Sequence, residues 1–165
     1  APQGWFDETG QAGSTRPRSP AMRMPRLRFM LWARALLAPL VAAAQSVSSG
    51  DITVHYSAIP TTRLAPEVAR QYGITRSSSR ALVNIAVRQG KPGADKALPS
   101  KVSAWVTNLN GQRQALSLRE VRDGKAVYYL GETRINGHET LAFEIDVLPP
   151  GAKEPIRAVF RQEFF

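Results

Sequence analysis

The sequence contains no cysteine and only two histidines, His55 and His138. The first absence removes disulfides, thiol nucleophiles, thiolate metal ligands and any lipid-modified cysteine. The second leaves the two imidazoles 83 positions apart with no thiolate beside either, so no metal site or cofactor is expected. Catalytic signatures are missing as well: there is no Gly-x-Ser-x-Gly elbow, no Ser-x-x-Lys pattern and no glycine loop shaped to cradle phosphate. No catalytic, cofactor-binding or metal-binding residue is therefore assigned. Long apolar runs are also absent. The longest, Ala35 to Ala44, is half of the about 20 residues that a membrane-spanning helix needs.

What is present divides at about residue 44. Met22 and Met24 open a basic stretch, Arg23, Arg26 and Arg28, followed by an apolar run from Phe29 to Ala44 broken by Arg34 and Pro39. A charged segment, a short apolar segment and the small residues Ala42, Ala43 and Ala44 form the pattern of a secretory signal peptide over 22–44, with cleavage expected between Ala44 and Gln45. If uncleaved, the same segment would tether the domain to the membrane, the one membrane association foreseen. No adjacent arginines mark a twin-arginine signal. Residues 1–21 carry Gly, Pro, Ser and Arg without apolar periodicity and read as a disordered upstream extension, consistent with a misassigned start. Seventeen arginines against five lysines suit a GC-rich genome, in which open frames often run past the true start.

The formal net charge is +9, with six basic and two acidic residues before residue 45. The remainder, 45–165, keeps a surplus of five, enough for weak attraction to anionic envelope surfaces but not the dense basic face of a nucleic-acid binder. A domain of this size without disulfides is held by its core alone.

From Gln45 onward apolar residues recur at a period of two, the signature of half-buried strands. Leu141, Phe143, Ile145 and Val147 share one face against Glu144 and Asp146, and Ile156, Ala158, Phe160 and Phe164 share another against Arg157, Arg161 and Glu163, with Val159 exposed. Asn110-Gly111, Asp123-Gly124 and Asn136-Gly137 resemble type I′ hairpin turns. They predict a four-strand antiparallel meander over 101–109, 112–121, 125–134 and 139–148. Alternation slips in the second of these, where a bulge near Arg119 and Glu120 is expected. Earlier strands are expected at 51–56 and 80–89. The latter is apolar on both faces and so central, and its Asn84 requires a buried partner. Pro66 to Gly73 reads as one or two helical turns.

The pattern predicts an all-β domain over 45–165: an immunoglobulin-like antiparallel β-sandwich of about seven strands with one short helix, or alternatively a small barrel. The excursion from Ser57 to Ser79 favours the sandwich, as a crossover between two sheets. Trp105 reads as core, and His138 as an exposed turn residue.

The polar and aromatic residues best suited to ligand or partner contact are Arg76, Arg80, Arg119, Glu120, Tyr128 and Tyr129. Glu144 and Asp146, about 7 Å apart along a strand, have a spacing compatible with acid–base work, but alternating outward carboxylates are ordinary in a soluble sheet.

Several strings carry a family resemblance: His55-Tyr56 with Ala58-Ile59-Pro60, Tyr72-Gly73-Ile74 with Arg76-Ser77, Ala81-Leu82-Val83-Asn84-Ile85, Asn108-Leu109 with Gly111-Gln112, and Tyr128-Tyr129 before Gly131-Glu132. Over nearly all of 50–165 the chain resembles the family known as domain of unknown function 4426, small exported proteins of Gram-negative bacteria. The resemblance implies export and a compact β domain, and it carries no site. The expectation is a periplasmic, non-enzymatic module binding an envelope protein or peptide through a sheet edge or loops. The alternatives are a hydrolase of a cell-wall or lipid substrate built on Glu120, Glu144 or Asp146, and a binder of anionic surfaces.

Overall fold

The computed structural model describes residues 45–165. The upstream extension, the signal segment and the Ala44 side of the expected cleavage point lie outside the described residues. Ten strands follow in order: β1 (Gln45–Ser49), β2 (Ile52–Pro60), β3 (Arg80–Gln89), β4 (Lys96–Ala97), β5 (Lys101–Thr107), β6 (Arg113–Ala115), β7 (Leu118–Asp123), β8 (Ala126–Arg134), β9 (Glu139–Leu148) and β10 (Ile156–Phe164). A 3₁₀ turn (Thr61–Arg63) and a single helix, α1 (Pro66–Gln71), lie between β2 and β3.

The strands form a β-sandwich of two antiparallel sheets. One has the order β1-β2-β3-β8-β7 with the short β4 added on β3, and the other β10-β9-β5-β6. The sheets do not close into a barrel. The three strands beyond the expected seven are β1, β4 and the piece gained when the expected 112–121 strand divides.

That division corrects the expected meander. Both of its halves are strands, but in different sheets: β6 pairs with β5, and β7 pairs with β8. The chain changes sheet at Leu116 and Ser117, where buried Leu116 donates its N–H to the carbonyl of Ala104 at 2.9 Å. The slip in alternation therefore marks a strand switching sheets, not a bulge at Arg119 and Glu120. Gly131 is what lets the switch pass so closely, since a Cβ there would sit 2.7 Å from Cδ2 of Leu118.

The turn at Asn136-Gly137 is likewise no hairpin. β8 and β9 belong to different sheets, and His138, not Gly137, takes the left-handed backbone at φ 57°. Of the three expected turns, Asn110-Gly111 joins β5 to β6, and Gly124 (φ 59°) with Lys125 closes the β7–β8 hairpin. Conversely, the excursion from Ser57 to Ser79 is no crossover: β2 and β3 are neighbours in one sheet.

The excursion folds back over the outside of that sheet. Pro66 starts α1 with its fixed φ, and Gly73, at φ 63°, allows the chain to turn away after it. Leu64, Val68, Ala69, Tyr72 and Ile74 pack on Leu82 and Leu130, forming a second apolar layer outside the sandwich. The main core lies between the sheets. Val54, Val83, Ile85 and Val87 meet Phe143, Ile145, Val147 and Phe164, all less than 2 % exposed. Phe143 stacks on Phe160 with ring centroids 5.0 Å apart. β3 is central, as its two-sided apolarity predicts: Ala81, Val83, Ile85 and Val87 point into the sandwich and Leu82 points out to the helix layer.

Candidate functional site

Strand alternation divides the residues foreseen as contacts. Tyr128 and Tyr129 are adjacent on β8 and so face opposite ways. Tyr129 enters the core, where its hydroxyl accepts a hydrogen bond from the N–H of Ser100 at 2.8 Å. Tyr128 lies half-buried on the outer face of the six-stranded sheet, beside the helix layer. Arg119 is on that outer face too, donating from Nη2 to the carbonyl oxygen of Tyr72 at the end of α1. Arg80 stands at the start of β3 within 3.6 Å of Glu132, and Arg76 donates to the carbonyl of Thr62 at 2.8 Å. Glu120 pairs with Arg122 at 2.7 Å and lines an open notch of about 550 Å³ with Pro99, Ser100, Lys101, Leu148 and Pro149. Arg119 and Tyr128 therefore share the margin of the helix layer, Arg76 and Arg80 stand at its other side, and Glu120 and Tyr129 belong elsewhere.

The carboxylates considered for hydrolysis do not converge. Glu144 and Asp146 lie on the outer face of the four-stranded sheet, each held by an arginine: Arg113 at 2.8 Å and Arg157 at 2.8 Å. Trp105 shares that face under the guanidinium of Arg113, 4.5 Å from the ring centroid, so it is a surface platform and not core. The reason is register, because Ala104 and Val106 already fill the inward positions of β5. Among the described residues no three His, Cys, Asp or Glu side chains gather closely enough to hold a metal ion.

The polar groups whose ionisation is disturbed collect elsewhere, around the uncovered part of the six-stranded sheet's outer face. Burial, reinforced by a hydrogen bond to Asp123 and that group's charge, pushes the Tyr72 phenol up to about 12. Its hydroxyl donates to Oδ2 of Asp123 at 3.1 Å. Tyr128 is raised as well, chiefly by burial and then by the charge of Asp123. Arg88 holds Asp95 by a bidentate contact, with Nε to Oδ2 at 2.8 Å and Nη2 to Oδ1 at 3.1 Å. That contact raises Arg88 and depresses Asp95, on which His55 also acts. Tyr72 and Tyr128 both feel the charge of Asp123, and Tyr128 and Arg88 act on each other, so these groups form one electrostatic cluster; Arg157 is raised by Asp146 on the other sheet.

Register gives the cluster its layout. Ser57, Asn84, Leu130 and Arg119 form one row across β2, β3, β8 and β7. The next row runs from His55 to Ala86 and, one step on from the Tyr129 pairing, to Tyr128. Neighbouring strands lie about 4.8 Å apart, so the His55 and Tyr128 backbones stand about 10 Å apart with only a methyl group between them. Asn84 sits where the helix layer ends: Leu82 and Leu130 beside it are covered, while Ala86 is not part of the layer. Its Oδ1 is buried and has no hydrogen-bond partner among the described residues, contrary to the partner expected from the sequence. Sequence reasoning singled out Asn84 for its place in an apolar strand but missed His55, Tyr72, Arg88 and Asp123. Only the pairing of β3 with β8, whose partners lie 44 to 54 residues apart in sequence, brings these together.

The fold has known counterparts. A crystal structure of a DUF4426 family protein from Pseudomonas aeruginosa PAO1 is 30 % identical, with a TM-score of 0.63, covering 74 % of this chain and 94 % of that one. FetP of uropathogenic Escherichia coli strain F11, produced recombinantly in the periplasm, superimposes with a TM-score of 0.52 at 10 % identity over 74 % of this chain and 93 % of its own. A copper-bound variant of FetP gives a TM-score of 0.51, again at 10 % identity, over 74 % and 95 %. At that identity the likeness to FetP is one of fold alone. No curated protein matches the sequence. The family model described as Domain of unknown function (DUF4426) matches residues 46–165, the whole sandwich but for its first residue, and the chain belongs to that family.

Proposed function

We propose that this protein is a non-enzymatic binding module of the Gram-negative cell envelope, taking a partner protein or peptide on the outer face of its six-stranded sheet beside α1. The observation that carries the reading is Oδ1 of Asn84 at the edge of the helix layer, a buried acceptor with no protein hydrogen-bond partner among the described residues. The disturbed groups around it supply further contacts: the phenol of Tyr128, and an Arg88–Asp95 pair that presents both charges to a ligand. A periplasmic address is supported by the signal-peptide pattern of 22–44. Among the described residues no helix is long and apolar enough to cross a membrane.

The test is site-specific photo-crosslinking in intact cells, with p-benzoylphenylalanine replacing Tyr128 on the proposed face or Val159 on the opposite sheet. Val159, 62 % exposed on the outside of β10, is the accessible control. A discrete adduct formed from position 128 and absent from position 159 is expected. No adduct at 128, or the same adducts at both positions, overturns the reading.

A further inference from the structure

β7 is the last strand of the six-stranded sheet and, among the described residues, pairs on one side only, with β8. Which of its backbone groups face the open edge follows from register. Ile135, one step beyond β8, donates its N–H to the carbonyl of Ser79, one step before β3. Odd-numbered residues of β8 therefore turn their N–H and C=O toward β3 and even-numbered ones toward β7. The β7 partners of those even residues, Arg119, Val121 and Asp123, bond inward, so Leu118, Glu120 and Arg122 point their N–H and C=O to the edge. No proline or break in register blunts this edge, and its residues are all exposed or half-buried. Its only guard is charge, on Arg119, Glu120, Arg122 and Asp123.

That charge pattern selects a partner. When a second copy of β7 lies antiparallel along the first, edge-facing residues must meet edge-facing residues, so the two-fold axis passes between a residue and its own copy. Centred on Arg119, Glu120, Arg122 or Asp123, the pairing sets like charges against each other. Centred on Val121, it sets Glu120 against Arg122 and Arg119 against Asp123, each twice by symmetry, with valine on valine. We propose that β7 pairs with β7 of a second copy in this register, joining two six-stranded sheets into one. The exposed Glu120–Arg122 pair, 2.7 Å within one chain, then becomes half of a closed ring of alternating charges. Arg119 keeps its bond to the Tyr72 carbonyl and has further donors to offer, and Asp123, which holds the Tyr72 hydroxyl through Oδ2, has Oδ1 to spare. Because alternation is shared across the joint, both α1 layers lie on the same side of the joined sheet. A strand edge buries little surface, so the association is weak and reversible.

The test begins with sedimentation equilibrium of the 45–165 chain, which contains the whole described fold, from about 1 μM to 1 mM. A monomer–dimer equilibrium is expected, and Glu120→Arg or Arg122→Glu alone is expected to weaken it about tenfold or more, since symmetry doubles each like-charge contact. An equimolar mixture of the two variants restores association, because each supplies the charge that the other lacks. Register is read by oxidation of Val121→Cys, the single thiol of a chain without cysteine. Across the axis it meets its copy as a non-hydrogen-bonded pair about 4.5 Å apart, within the span of a disulfide. Lys125→Cys places a more exposed thiol at the hairpin tip, too far from the axis to meet its copy, and is expected to stay monomeric. A wild-type chain that remains monomeric throughout, a mixture that fails to recover, or bridging as fast from position 125 as from 121 overturns the proposal. Should a charge variant fail to fold, the wild-type sedimentation and the position-121 bridge decide alone.

Discussion

The two faces of β3 make different demands on one strand. Toward the sandwich, Ala81, Val83, Ile85 and Val87 are essentially inaccessible and meet only apolar side chains from the other sheet. Away from it, Leu82, Asn84, Ala86 and Arg88 run from a covered leucine through an amide to an ion pair. The inner face is uniform because both sheets are hydrophobic along their length. The outer face changes character within four residues because α1 is only six residues long and covers one part of it. A short cover thus divides one sheet surface into a packed, stabilising part and an uncovered part.

The largest effect that could test this division comes from the inner layer. Phe143→Ala removes a fully buried ring stacked on Phe160 and is expected to cost about 3–5 kcal/mol, read from urea unfolding. On the outer layer Leu82→Ala empties the ground beneath the helix, where the cover can settle inward, so about 2 kcal/mol is expected. Amide hydrogen exchange in α1 should accelerate while exchange in β9 stays slow. Equal costs for the two substitutions, or acceleration in both elements, would erase the distinction between core and cover.

The smallest expected effect depends on pH. In the folded protein the Tyr72 phenol holds its proton up to about 12, against 10.0 for the free group. The unfolded chain therefore loses that proton first. The stability tied to it is complete below pH 10 and declines as pH rises through the window toward 12. Tyr72→Phe removes the bond to Asp123 at a cost of about 1 kcal/mol at neutral pH and flattens the alkaline decline. An unchanged alkaline slope, measured by urea unfolding at a series of pH values, would show that Tyr72 does not anchor the cover to β7.

How much of this was legible in the sequence follows the same division. The inner layer could be read because period-two alternation is local: Leu141 to Val147 and Ile156 to Phe164 announce both their strands and their buried faces. Which sheet each strand joins could not. Asn136-Gly137 and Asp123-Gly124 look alike as dipeptides, yet one ends a sheet and the other closes a hairpin. The difference lies in partners dozens of residues away. The outer cluster was illegible for the same reason. Tyr128 and Arg119 were singled out for their chemistry, whereas Glu120 and Tyr129, one position along, fell on other surfaces through the strict alternation of the strand. Asn84 was noticed, but its missing partner was visible only once the pairing of β3 with β8 placed Leu130 beside it.

The passage of β6 into β7 across the sandwich also has a kinetic meaning. Because the chain changes sheets at Leu116 and again after Arg134, the pairings that complete each sheet, β3 with β8 and β5 with β9, join segments far apart in sequence. The hairpins β1–β2, β5–β6, β7–β8 and β9–β10 can form from neighbours, but none buries its apolar face until those distant pairings close. Loop closure over such separations places folding among the slower all-β cases, in milliseconds to seconds. During that interval the newly made chain is an open string of hairpins whose apolar faces remain exposed, the state in which a β chain is most prone to pair with its neighbours.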